Sequence, residues 1–166
     1  MIGEYLDTAE GWDRLRGSGE DHMNFAIPET PERWRKNSFE DQDVLRKARD
    51  IVDLTKANGF DRINSYGVGT AFLEYQIKRQ MEDIYLQCSD YALGGIQRLR
   101  HVFNEADEII QFDMLRDRWV YNGQMCLYLF YRVDTAFADE EWRHIFRDLS
   151  TANAGHVLFI PCEFLC

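Results

Sequence analysis

Residues 63 to 71 read INSYGVGTA, and Asp90 stands twenty-one residues beyond Gly69. These residue types at this spacing could hold a nucleotide. An apolar segment containing Phe60 and Ile63 runs into Gly67 and Gly69, and a stretch able to form a helix, Ala71 to Lys78, follows at once. Strand, glycine turn and helix in that order place backbone N–H groups and a helix N-terminus against a ligand. Glycine is required wherever a Cβ would hold the backbone off that ligand. The β-prone run Ile84 to Cys88 then closes on Ser89, Asp90 and Tyr91. A carboxylate at the tip of the strand after a glycine turn is placed to accept from the hydroxyls of a ribose. A second reading of Asp90 stays open, in which it N-caps the helix beginning near Leu93. Ile109 to Phe112 form another short apolar strand that ends on Asp113. Two successive strands ending on carboxylates, behind a glycine-turn strand, favour the ligand reading.

The elements that must position these groups are legible at coarse grain. Residues 1 to 37 are polar, punctuated by Trp12, Phe25 and Trp34 and carrying Pro28 and Pro31. They predict an irregular arm or lid with short helical turns, in which Trp34 serves either as a hydrophobic anchor or, with Arg35, as a cover over the pocket. Ser38 to Asp41 resemble a capping box, and Val44, Leu45, Ala48, Ile51, Val52 and Leu54 keep helical spacing to a stop at Gly59. Beyond it the pattern alternates: strand 60–66, helix 70–80, strand 83–88, helix 92–103, strand 107–112, strand 124–133, helix 138–149 and strand 156–161. Short strands separated by helices predict a parallel sheet with right-handed crossovers, and the run from Met125 to Val133, apolar on both faces, suits its centre. Ligands bind such sheets outside the carboxyl ends of the strands, so Tyr66, Gly67, Asp90, Asp113 and the Tyr131 to Asp134 group should converge on one rim.

With these motifs in place, the chain resembles the class I S-adenosylmethionine-dependent methyltransferases. SYGVGTA, residues 65 to 71, is similar to the family's DxGxGxG loop, with serine for the aspartate and alanine for the last glycine. SDYALGGIQRLR, residues 89 to 100, and FDML, residues 112 to 115, look like its second and third strand tips. The resemblance implies an α/β, Rossmann-like three-layer sandwich with a mostly parallel sheet in the order 3-2-1-4-5, formed by residues 38–166 and lacking the usual last two strands. It implies S-adenosylmethionine as cofactor, with Ser65, Tyr66, Gly67 and Gly69 in the loop, Asp90 on the ribose, Tyr91 beside the adenine, Asp113 on the adenine amino group and Met114 offering a backbone N–H. Methyl transfer needs alignment and exclusion of water more than covalent help, so no triad is expected. Tyr131, Arg132 and Asp134 are the candidates for orienting the acceptor, a small molecule or a protein, or for taking its proton. Their other reading is an Arg132–Asp134 surface pair, with Asp134 and Thr135 starting the next helix.

Composition narrows the alternatives. The formal net charge is −10, from 29 acidic and 19 basic residues, and no basic cluster exceeds Arg33, Arg35 and Lys36, which disfavours nucleic acid as substrate. No apolar run approaches the ~20 residues of a membrane span, and the acidic N-terminus is unlike a signal peptide. Cys88, Cys126, Cys162 and Cys166 lack CxxC spacing and the four histidines form no HxxxH pair, so reduced cysteines in a cytoplasmic protein without a metal site are expected. Two other functions fit part of the pattern: a non-catalytic methyltransferase-like module, and a nicotinamide-dinucleotide enzyme, which would place glycine where Phe72 stands. The final strand, VLFIP, would be an uncharged apolar edge. It predicts a homodimer through Val157 to Ile160 or through Phe164 and Leu165, unless the chain is a truncated copy.

Overall fold

The computed structural model describes residues 8–17 and 25–162. Two short helices, α1 (Ala9–Arg16) and α2 (Pro31–Asn37), precede α3 (Gln42–Asn58). The chain then alternates through β1 (Arg62–Tyr66), α4 (Phe72–Gln80), β2 (Tyr85–Asp90), α5 (Leu93–Val102), β3 (Glu108–Gln111), β4 (Cys126–Tyr131), α6 (Asp139–Thr151) and β5 (His156–Ile160). The five strands form one sheet in the order β3-β2-β1-β4-β5, and every pairing is parallel. This is the order that the family resemblance implies, and β4, apolar on both faces, lies inside the sheet.

Two cores make the three layers. Ile63, Leu86, Cys88, Leu127 and Leu129 pack with α3, α4 and α5 on one face. Tyr66, Tyr128 and Phe130 pack with Ile145 and Leu149 of α6 on the other, where Met114 and Trp119 from the β3–β4 connection complete the layer. Tyr66 stacks on Phe130 with centroids 5.4 Å apart and lies 4.7 Å from the Trp119 ring, so it is a core aromatic at the very end of β1.

Local chemistry departs from expectation at two helix starts. Asp41, rather than Ser38, caps α3, its Oδ1 accepting from Asp43 N at 2.9 Å and Val44 N at 3.2 Å. The Ser38 hydroxyl is turned away, donating to Arg35 O at 2.6 Å and accepting from Gln76 Nε2 at 2.9 Å. Helix α6 starts at Asp139, with Ala138 as N-cap and Glu141 reaching back to its N–H. Asp134 and Thr135 belong instead to a separate 3₁₀ turn, Asp134–Ala136. Gly59 ends α3 as predicted, in the left-handed conformation with φ 68°.

Trp34 resolves into the anchor. It is fully buried against Phe72, Tyr75 and Phe103, and its Nε1–H donates to Thr70 O at 2.9 Å, which pins the arm to the residue just after Gly69. Trp34→Phe keeps most of the apolar contact but strands the Thr70 carbonyl. We expect a loss of ~1–3 kcal/mol in urea denaturation, and an unchanged midpoint would contradict the tether.

Candidate functional site

Because all strands are parallel, their carboxyl ends share one rim, and the glycine turn sits at its centre between β1 and α4. Gly67 and Gly69 have φ of 69° and 57°, and Ala71, the N-cap of α4, is also left-handed at 56°. Three left-handed residues within five fold the chain into a tight loop that only glycine enters without strain.

The loop is tied to β2 by its own amides. Gly67 N and Val68 N both donate to Ser89 O, at 2.8 and 3.1 Å, and Gly69 N donates to Asp90 Oδ2 at 3.0 Å. The sequence reading aimed these N–H groups at a ligand. The structure spends them on the end of β2, since buried amides must find partners and the tip of the adjacent strand offers them. Asp90 Oδ1 accepts from Ala92 N at 3.1 Å, which is the N-cap residue of α5. Asp90 therefore lies two residues short of the capping role considered for it. The α5 N-terminus is served by Asp13 of α1, whose Oδ1 accepts from Gly95 N at 3.0 Å.

The other candidates divide. Met114 and Val133, from the loops after β3 and β4, close over Gly67: a Cβ there would lie 2.5 Å from Val133 Cγ1 and 3.5 Å from Met114 Cε. A Cβ on Gly69 would lie 2.6 Å from Arg16 Nη2. The volume next to each glycine is thus filled by side chains of the protein. Tyr91 is half-buried beside Asp90, and burial followed by that charge pushes its hydroxyl up to about 12. Asp113 organises the turn that follows it: its Oδ1 accepts from Leu115 N at 2.9 Å and its N–H donates to Asp117 Oδ2 at 2.8 Å. Arg132 is left-handed with φ 57°, a conformation costing a non-glycine residue roughly 1 kcal/mol or more. Asp134 Oδ1 accepts from Cys162 N at 2.8 Å, a strut to the segment after β5. Burial raises the pKa of Tyr131, which faces the helix layer.

Ser65 leads to a residue the sequence reading missed. Its hydroxyl lies 2.6 Å from Glu74 Oε1, in the first turn of α4. Both are buried, and burial pushes the Glu74 carboxyl up to about 7, with Asp90 adding to the rise. The acid lacking at position 65 is thus present nine residues later, against the same strand end. The signal was a lone Glu inside the apolar series Phe72, Leu73, Tyr75 and Ile77. Arg16 was also missed, and no local pattern marks a residue so far from the turn in sequence.

No family model matches the chain, and no curated protein does. Among solved structures, the fold is similar to that of the plantazolicin methyltransferase BpumL in complex with SAH, with a TM-score of 0.55 and 13% sequence identity. The alignment covers 95% of this chain and 56% of that one, so this chain spans about half the length of that structure. The protein has a Rossmann-like fold of the methyltransferase type.

Glu74 generates a pH prediction. Its folded pKa is raised above its unfolded value, so the unfolded state loses the proton first. Stability from this group is full at acid pH and declines as pH rises from about 4.5 toward about 7. Glu74→Gln should flatten that limb, by up to ~3 kcal/mol across it, in denaturation series from pH 4.5 to 8. An identical slope in both proteins would show that Glu74 is ionised at neutral pH.

Proposed function

We propose that the protein binds S-adenosylmethionine at the glycine-turn rim and transfers its methyl group to an acceptor, a small molecule or a protein. One observation carries the reading: the Asp90 carboxylate, Gly67, Gly69, Tyr91, Asp113 and Met114 all belong to three neighbouring strand ends of a methyltransferase-type sheet. Each Asp90 oxygen spends one acceptor site on a backbone N–H, at Gly69 and Ala92. A carboxylate has about four such sites, so two remain for a ribose diol. The solved structure with the similar fold contains SAH, which supports the choice of ligand.

A sulfonium donor supplies an already activated methyl group. In this reading Asp90 accepts from the ribose, Asp113 accepts from the adenine amino group, the Met114 N–H meets the adenine ring and Tyr91 lies beside it. Tyr131, Arg132 and Asp134 border the acceptor, with Arg132 held in a strained backbone conformation of the kind that clusters at functional sites. Cys88 and Cys126 are buried free thiols, which suits a reducing, cytoplasmic setting. Among the described residues no helix is long and apolar enough to cross a membrane.

Titration calorimetry with S-adenosylhomocysteine tests the site. Asp90→Ala should weaken binding by roughly ten- to a hundredfold, and Asp90→Asn, which keeps one acceptor, by less. Since Asp90 also holds two backbone N–H groups, the alanine variant should lose ~1–3 kcal/mol of stability as well, so affinity is compared where both proteins are folded. Unchanged affinity removes Asp90 from the site. Binding of NAD in place of the adenosyl compound would favour the dinucleotide reading, and binding of neither the non-catalytic one.

We extend the proposal to a homodimer. Among the described residues β5 is an outer strand, Val157 is 41% exposed, and Phe146, 44% exposed, packs beside Trp142 and Phe159 next to it. An apolar unpaired edge is a template for a second strand. Phe164 and Leu165, the other expected contact, lie outside the described residues. Sedimentation should show a dimer that Ile160→Lys abolishes, and a monomer at high micromolar concentration would contradict it.

A further inference from the structure

Helix α1 lies across the groove between the glycine turn and α5. Asp90 stands between the two walls of that groove, its carboxylate bonding Gly69 N on one side and Ala92 N on the other. The walls are glycines. A Cβ on Gly69 would lie 2.6 Å from Arg16 Nη2, one on Gly95 3.6 Å from Arg16 Cγ, and one on Gly94 2.8 Å from Asp13 Oδ1. Arg16 is thus threaded between the turn and α5, where it is 9% exposed. Burial lowers its pKa, and the nearby Asp90 charge opposes that shift. Asp13 Oδ1 meanwhile accepts from Gly95 N at 3.0 Å.

Glycine walls admit a close neighbour, and the neighbour present is a helix of the same chain. Its side chains carry the charges a ligand would bring, a cation beside the Asp90 carboxylate and an anion on the first amides of α5. The helix itself is lightly founded. It has eight residues, of which only Gly11 and Arg16 are buried, and none of them is among the buried residues of either hydrophobic core. A helix this short does not persist by its own backbone bonds. Polar contacts hold it: besides the Asp13 bond, Ile27 N donates to Arg16 O at 3.0 Å and Arg16 Nη1 donates to Phe25 O at 2.9 Å. Elements with little apolar burial open at the low end of a protein's stability range.

Resting on the adenosyl reading of the rim above, we propose that α1 is an intramolecular inhibitor: Arg16 and Asp13 occupy the groove over Asp90, and the ligand enters only when α1 leaves it. Apparent affinity is then the intrinsic affinity reduced by the fraction of molecules with α1 open. The α1–α5 contact sets that fraction.

Titration calorimetry with S-adenosylhomocysteine on three proteins tests this. Asp13→Ala removes the bond to α5 and leaves the rim residues intact, so it should bind roughly five- to thirtyfold more tightly than the wild type. The double variant Asp13→Cys, Gly94→Cys reverses the experiment. A Cβ on Gly94 would lie 2.9 Å from Asp13 Cγ, close to the ~3 Å between a Cβ and the far sulfur of a disulfide. Oxidised, with α1 locked onto α5, it should bind about tenfold or more weakly than after reduction, which also serves if Asp13→Ala fails to fold. Tighter binding by Asp13→Ala, or binding that appears only on reduction of the double variant, supports the inhibitor. Unchanged or weaker binding by Asp13→Ala, or equal affinity of the oxidised and reduced double variant, overturns it while the donor reading stands. Failure of the wild type, Asp13→Ala and the reduced double variant alike to bind overturns both.

Discussion

The rest of the site depends on the bond between Asp90 Oδ2 and the Gly69 N–H, 3.0 Å long and joined by the two donations from Gly67 and Val68 to Ser89 O. It fixes the glycine turn to the end of β2. The same carboxylate reaches Ala92, so one side chain sets where both α4 and α5 begin. Everything at the rim is then stacked on that loop: Val133 and Met114 over Gly67, Arg16 over Gly69, and Trp34 on the Thr70 carbonyl. The left-handed φ at both glycines explains why neither position tolerates a side chain, independently of any ligand. A valine at either position would therefore disturb the loop and its neighbours together, and glycine variants cannot separate binding from folding.

The electrostatics of the rim follow from how little water reaches it. Two acids lie close together, Glu74 buried on the helix side of the turn and Asp90 half-buried at its lip. Burial raises the Glu74 carboxyl to about 7 and the Asp90 charge adds to the rise, so below that pH Glu74 keeps its proton and hydrogen-bonds Ser65 as a neutral group. Arg16 supplies the opposing charge from α1. The arm is in this sense part of the electrostatics of the sheet, although its sequence carries none of the strand and helix periodicity of the domain.

What the sequence revealed was mostly what local patterns encode. The parallel sheet follows from alternating short apolar runs and helices, its strand order is what the family resemblance implies, and every strand falls within a few residues of its expected span. Asp90 and the two glycines were legible because a turn between a strand and a helix constrains residue type. The partners of those groups were not. Ser38 was read as a helix cap because Ser and Asp carry the same propensity, and only tertiary contact with Gln76 decides between Ser38 and Asp41. Tyr66 was read as a ligand contact from its place in the loop, whereas strand alternation turns it into the aromatic core of the opposite face. Arg16 meets Gly69 across more than fifty residues of chain, a distance over which no spacing rule operates.

The central claim, that the loop held by Asp90 is a cofactor site, is tested most directly by following backbone amide resonances during titration with S-adenosylhomocysteine. The account predicts that the Gly67, Gly69, Asp90 and Tyr91 amides shift together and saturate with one dissociation constant. Shifts confined to the cleft between Trp119 to Tyr121 and Thr151 to Asn153, or no shift at millimolar ligand, would contradict it.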